Sequence, residues 1–204
     1  MPTILNVQSS PNLYTSASRA VSKAFVDTYL SRHPGTNVID LDLAVTPPPH
    51  FGPDHLRALF TPPDTHEPAS TAALAASDAY IDQVFGADVL VLATPIHNFG
   101  IASTMKCWID HVVRAGKTFQ FTETGPVGLV SDRKVIIAVG SGSYYSDGPY
   151  KGFEHAATYL SHILQYIGLT DITVLRAEGQ NMGPEAAANG LSTGFAAAQQ
   201  AADP

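Results

Sequence analysis

Residues 87–95 read ADVLVLATP, an apolar run with almost no interruption. Such a run suits a central strand buried on both faces of a sheet, where every side chain avoids water. The rest of the chain repeats the theme. TILNV (3–7), NVIDLDL (37–43), KVIIAVG (134–140) and ITVLRAE (172–178) read as further strands. Segments at 16–32, 70–85, 101–115, 150–167 and 184–202 read as helices. Val21, Ala24, Phe25, Thr28 and Tyr29 share one helical face, and Met105, Trp108, Ile109, Val112 and Val113 share another. Strand followed by helix, about five times over, predicts an α/β domain with a parallel sheet and helices on both faces.

Punctuation between these segments is clear. His33-Pro34-Gly35 stops the first helix and Gly86 the second. Residues 44–69 hold Pro47, Pro48, Pro49, Pro53, Pro62, Pro63 and Pro68. Regular structure does not survive that density, apart from a helical turn or two at 54–60. A loop of this length is expected to cover or bind something. TFQFT (118–122) predicts a β-arm, 118–128, that turns around Gly125-Pro126. The expectation is one domain over 1–204, with a Pro-rich cover loop at 44–69 and the arm.

Composition excludes several classes. Hydrophobic residues make up 45 % and charged residues 14 % of the chain, enough for a core and unlike a disordered segment. Eighteen Asp+Glu against eleven Lys+Arg give a net charge of -7, with no dense basic cluster, so nucleic acid and anionic membrane surfaces are not expected partners. No run approaches the ~20 apolar residues that span a bilayer. No secretory leader pattern precedes the first strand, so a cytoplasmic location is expected. The one cysteine, Cys107, leaves no intramolecular disulfide, and its helical setting reads as core rather than nucleophile. No compact His/Asp/Glu spacing predicts a metal site. His111, His155 and His162 fall on predicted helices as surface or packing residues.

Ligands of open α/β sheets collect at the carboxyl ends of the strands. Three loops at such ends stand out: SSPNLYTSAS (9–18), TPIHNFG (94–100) and GSGSYYSDGP (140–149). In the first, Ser10 sits at a strand exit, and Ser16 and Ser18 sit near a helix start. Hydroxyls and main-chain N–H groups there can bind a phosphate without a lysine; ordinary helix capping is the competing explanation. In the second, Asn98 and Gly100 let main chain approach a flat ligand, with Phe99 beneath or beside it. In the third, Gly140 and Gly142 alternate with Ser141 and Ser143, again favouring close backbone contact. GLSTG (190–194) matches a nucleophile-elbow pattern but lacks the strand that an elbow needs. No G-x-G-x-x-G follows a strand, which disfavours a classical dinucleotide fold.

SSPNLYTSASRAVSKAF, TPIHNFGIASTMKCWIDHVVRAGKTFQFTETGPVGL and GSYYSDGP resemble the FMN-dependent NADH azoreductases, a family of NAD(P)H:quinone oxidoreductases. The similarity runs from about residue 3 to GPE at 183–185. It implies a flavodoxin-like three-layer sandwich, its five parallel strands ordered 2-1-3-4-5. Ser10, Ser16, Ala17 and Ser18 match the FMN phosphate loop. Pro95, Ile96, His97, Asn98 and Phe99 match the loop along the ribityl chain and isoalloxazine ring. Gly140, Ser141, Gly142 and Ser143 match the loop at the pyrimidine edge. Phe121 and Tyr145 fall where the family walls its substrate pocket.

The chain departs from the family pattern at Ile96 and His97, commonly Met and an aromatic; at Phe121, commonly an aromatic hydroxyl; and at Tyr145, often His. These departures bear on substrate preference. The resemblance further implies hydride transfer from NADH or NADPH to bound FMN, then reduction of quinones or azo compounds by a ping-pong scheme. His97 or solvent is the expected proton source. It also implies a homodimer, with the helix carrying Trp108 and the 118–128 arm as candidate interface. Arg19, Lys106 and the Pro-rich loop are candidates for reading a 2′-phosphate, and nothing in the sequence selects among them. A flavodoxin-like carrier of single electrons is the alternative function, and a hydrolase is disfavoured.

Overall fold

The computed structural model describes residues 1–130 and 133–203. Five strands form one parallel sheet: β1 (Thr3–Gln8), β2 (Asn37–Asp42), β3 (Val89–Pro95), β6 (Lys134–Gly140) and β7 (Asp171–Ala177). Their order is β2-β1-β3-β6-β7. Two short strands, β4 (Phe119–Thr122) and β5 (Gly125–Gly128), form a separate antiparallel hairpin. The order counted over the five parallel strands is therefore 2-1-3-4-5, and the higher chain numbers come from the intervening hairpin.

The continuous apolar run lies at the centre of the sheet because it feeds two cores. Leu90 and Leu92 point into one, with Trp108, Met105 and Ile109 of α4 (Ser103–Val112) and Leu160 and Leu164 of α5 (Ala156–Tyr166). Val89, Val91 and Ala93 point into the other, with Val21 and Phe25 of α1 (Ala17–Arg32) and Ala198 of α6 (Pro184–Ala201). Alternate side chains of one strand thus reach opposite helical layers. Helix α3 (Pro68–Gly86) completes the first layer through Val84. Burying Trp108 completely places it in the core of the single chain. It occupies the sheet-facing side of α4, so any contact this helix makes with another chain would come from its exposed side, where Ser103 and Lys106 lie.

Several element ends differ from expectation, each for a side-chain reason. Helix α4 stops at Val112, short of residue 115, because Thr118 Oγ1 donates to Val112 O at 2.7 Å and accepts from Arg114 N at 3.0 Å. Helix α5 begins only at Ala156. The Glu154 carboxylate, almost fully buried, accepts from the N–H groups of Ala156 (2.9 Å), Ala157 (2.8 Å) and Thr158 (3.2 Å). Burial pushes the Glu154 carboxyl up, but those donors and Arg176 outweigh it and hold it below the ordinary value. The arm turns at Glu123-Thr124, not around Gly125-Pro126, since Thr122 pairs with Gly125.

The Pro-rich segment folds more than its composition suggests. It contains α2 (Pro53–Leu59) and a turn of 3-10 helix at Pro63–Thr65. It is strapped to α3 and α4: Pro49 O accepts from His111 Nε2 at 2.7 Å and from Cys107 Sγ at 3.1 Å, and His55 Nδ1 donates to Ala73 O at 3.1 Å. His111 is buried here as a packing residue. Burial also pushes the Cys107 thiol up, away from nucleophile chemistry.

Candidate active site

The sheet reverses direction of growth between β1 and β3, so the loops that leave their carboxyl ends diverge and open a crevice. A cleft of about 390 Å³ lies there. It is lined by Ser10, Ser16, Ala17 and Ser18, by Pro95, Ile96 and His97, and by Gly140, Ser141 and Gly142. Ten of the residues singled out in the sequence therefore meet at one place.

The first loop is set by its own polar side chains. Asn12 Oδ1 accepts from Tyr14 N (3.2 Å) and Thr15 N (3.0 Å), which turns the chain before the helix. Ser16 caps α1, accepting from Arg19 N at 3.5 Å, and its Oγ lies 3.1 Å from Ser18 Oγ. Ser16 is thus committed to capping, while the Ser10 and Ser18 hydroxyls also line the cleft. The Ala17 and Ser18 N–H groups have no partner among the described residues.

The second loop is a tight turn. His97 N donates to Gly100 O (2.9 Å) and Gly100 N to His97 O (3.0 Å), with Asn98 at φ 49° and Phe99 at φ 70°. Asn tolerates this left-handed region; Phe does so at a cost of about 1–2 kcal/mol. The strain is held by His155 N, which donates to Phe99 O at 3.0 Å, and by packing of the Phe99 ring on Phe153, 5.0 Å away. The turn leaves the Asn98 and Phe99 N–H groups without partners among the described residues.

The third loop is tied to a fourth that the sequence reading missed. Gln180 N donates to Ser141 O (3.0 Å) and Asn181 N to Gly142 O (2.9 Å), bringing Gln180 and Asn181 into the cleft wall. Asn12 and Thr15 line it as well. The signal for the fourth loop was present: EGQN (178–181) follows the last strand and exits at the same sheet edge. Glu178 pins the outer part of the third loop, its Oε1 accepting from Tyr145 N (2.8 Å) and Ser146 N (2.9 Å) and its Oε2 from the Ser146 hydroxyl. Tyr145 is thereby held edge-on to Phe99, with ring centroids 6.2 Å apart.

The remaining expected residues lie around this cleft. A second cavity of about 620 Å³ shares His97 with it and is lined by Asn98, Ile101, Lys106, His155 and Tyr159. Lys106 is paired with Asp110 at 2.5 Å. Ser143 O accepts from Ser141 Oγ at 2.8 Å, behind the loop. Phe121 lines neither cavity. It sits on the hairpin, 73 % exposed, edge-on to Phe119.

Among the described residues no Lys or Arg lines the 390 Å³ cleft. The donors it offers an anion are the first turn of α1 and main-chain N–H groups without partners among the described residues, including those of Gly142 and Ser143. Flat, close contact is also built in. A Cβ at Gly140 would lie 2.9 Å from Ser18 N, and one at Gly142 would lie 2.6 Å from Asn181 Nδ2. Hydroxyls, main-chain donors and glycine-lined walls fit a phosphorylated tricyclic cofactor. Among the described residues no group of three or more His, Cys, Asp or Glu is arranged to hold a metal, and no helix is long and apolar enough to cross a membrane.

Residues 2–202 match the model of a family described as having a flavodoxin-like fold. An FMN-dependent NADH:quinone oxidoreductase of Herminiimonas arsenicoxydans is 42 % identical over 185 residues, 91 % of each chain. The crystal structure of an azoreductase from Bacillus anthracis superposes with a TM-score of 0.91 at 30 % identity, covering 99 % of both chains. A second structure from that organism, an FMN-dependent NADH-azoreductase in complex with FMN, gives 0.88 at 25 % identity over the full length of both. A match over nearly the whole length, in sequence and in superposed fold alike, leaves one conclusion: the chain belongs to the flavodoxin-like family of FMN-dependent NADH:quinone oxidoreductases and azoreductases.

Proposed function

We propose that this chain binds FMN in the 390 Å³ cleft and passes two electrons from NADH or NADPH to quinones, and that it cleaves azo compounds to amines. The observation that carries this reading is the donor set: six main-chain N–H groups, of Ala17, Ser18, Asn98, Phe99, Gly142 and Ser143, stand without partners among the described residues at adjoining strand ends. Ser10, Ser16 and Ser18 and the first turn of α1 would hold the phosphate. Pro95 to Phe99 would line the ribityl chain and ring, and Gly140 to Ser143 the pyrimidine edge. FMN, when bound, supplies the hydride chemistry. The Gly142 and Ser143 N–H groups would stabilise negative charge at that edge, in a preorganised way that water cannot match. His97, on the border of both cavities, would hand protons to an azo acceptor.

Using one site for both substrates in turn gives ping-pong kinetics. The purified protein is expected to be yellow, and anaerobic NADH is expected to bleach it rapidly. Initial-rate plots should be parallel. Colourless protein that takes up no FMN refutes the cofactor, intersecting plots refute the alternation, and a flavin inert to NADH and NADPH points instead to an electron carrier. We further propose a cytoplasmic homodimer. Phe121 and Phe60, 73 % and 82 % exposed, are large rings that a lone chain leaves in water. A monomeric mass in solution would refute the dimer.

A further inference from the structure

Arg19 is the third residue of α1, one turn from where the phosphate would sit, yet its guanidinium faces away from the cleft. Nε and Nη2 donate to Ser10 O at 3.1 and 2.8 Å. Nη1 and Nη2 donate to Asp42 Oδ2 and Oδ1 at 2.7 and 2.8 Å. Asp42 Oδ1 also accepts from Ala44 N at 3.0 Å. Neither residue lines the cleft; both line a separate hollow on the far side of the loop, between α1 and β2. With its fork engaged on both sides, Arg19 has little left to offer a 2′-phosphate, and its candidacy for that role falls.

The clasp joins three pieces of chain that must agree for an anion to bind. These are the exit of β1 at Ser10, the first turn of α1 at Arg19, and the end of β2 at Asp42. A carbonyl oxygen aimed at a phosphate would repel it. Ser10 O is drawn onto a cation instead, which turns that carbonyl away from the phosphate. Ser10 is buried, so the orientation is set by this contact and not by solvent. The planar fork fits two oxygens of Asp42 and the carbonyl at once, which an ammonium cannot do. Hydrogen bonding and charge from Arg19 hold the Asp42 carboxyl below its ordinary value, in keeping with a permanent pair.

We propose that Arg19 and Asp42 are positioning residues for the cofactor phosphate, acting by turning the Ser10 carbonyl away from the cleft and fixing the first turn of α1. The inference rests on the flavin reading above. It makes a distinction that general destabilisation does not. Among the described residues no hydrogen bond joins the Arg19 or Asp42 side chain to the loops at 95–100 and 140–143, so the ring should bind nearly as before while the phosphate loses its seat.

The test compares FMN with riboflavin, which lacks the phosphate, on the full-length protein freed of flavin by dialysis. Binding is followed by quenching of flavin fluorescence. Arg19→Lys and Asp42→Asn are each expected to weaken FMN by about tenfold or more, the scale of one lost charge-assisted fork. Riboflavin affinity should change less than about twofold, against that same scale. Equal losses for both flavins would show a merely structural role and overturn the proposal, as would unchanged FMN affinity. Asp42→Asn keeps the shape and one acceptor, so it guards against a fold-level failure of the arginine variant; thermal melts of both are read alongside. Wild-type protein that binds neither flavin would sink the flavin reading itself, whereas a selective failure of the clasp leaves wild-type FMN binding intact.

Discussion

Gly140→Ala probes how closely the sheet approaches the proposed phosphate seat. Gly140 ends β6, pairs with Pro95 and Ala177, and accepts from Ile96 N at 2.8 Å. An added methyl would meet Ser18 N at 2.9 Å, Ala17 Cβ at 3.4 Å and Ser18 Cβ at 3.5 Å. The first contact is several tenths of an ångström too short, and it is with main chain. Helix α1 cannot retreat freely, because Val21 and Phe25 are fully buried against the sheet. Overpacking of this kind costs about 1–3 kcal/mol. For a chain of this size each kcal/mol lowers Tm by about 2–4 °C.

Whatever part of that strain is relieved by moving the first turn of α1 also moves the Ala17 and Ser18 N–H groups. FMN affinity should therefore fall as well, up to about 100-fold if the turn takes most of the strain. Gly142→Ala is the control. Its methyl would meet Asn181 Nδ2 at 2.6 Å, but that is the end of a side chain, which can swing aside. Thermal melts and fluorescence titration with FMN check both. A Gly140→Ala protein that melts and binds FMN like the wild type would refute the close-approach reasoning. So would a Gly142→Ala protein that is the less stable of the two.

Other perturbations have separate signatures. Glu178→Ala removes the acceptor of the Tyr145 and Ser146 N–H groups; the apparent KM for quinone should rise several-fold while the flavin-to-protein ratio stays near wild type. Glu154→Gln removes the charge that caps α5 and meets Arg176 at 3.4 Å, and should lower stability by about 1–3 kcal/mol in denaturant melts. Burial, with His111 and Arg114 adding to it, holds the His55 imidazole below its ordinary value, so the folded protein keeps it neutral where the unfolded chain takes a proton. Stability should be level above about pH 6.5 and fall as pH drops from there toward the folded value. The clasped Asp42 and the buried Glu154, both depressed carboxyls, give up their contributions only at lower pH, below about 4. His55→Asn, which keeps a donor for Ala73 O, should flatten the first slope and leave the second.

The parts of the fold that were legible are those governed by main chain and by apolar runs. ADVLVLATP could only lie between two helical layers, and its alternate residues divide between two cores. What was not legible depends on side chains that reach across sequence. Helix α4 ends where Thr118 intercepts its last carbonyl, and α5 starts where Glu154, also in contact with Arg176, collects three N–H groups. The hairpin turn was misplaced by one plain rule: Gly-Pro signals a turn, but Gly125, at φ 120°, serves as the first residue after it.

The same division runs through the site. Parallel strands deliver their carboxyl ends to one edge, so Ser10, Ser16 to Ser18, Pro95 to His97 and Gly140 to Gly142 converge whatever their side chains do. Side-chain walls carry no such guarantee. Phe121 was expected beside the substrate and stands out on an arm, and Arg19 was a candidate anion reader and is turned to the back of its loop. The convergence of uncommitted N–H groups is therefore written into the strand pattern itself, whereas the contacts among Tyr145, Phe99, Glu178 and Phe153 are ones that only the folded chain assembles. Changes at Tyr145, Glu178 and Phe153 should redirect the choice of acceptor far more than they alter the hold on FMN, because none of their side chains helps to line the cleft in which the phosphate would rest.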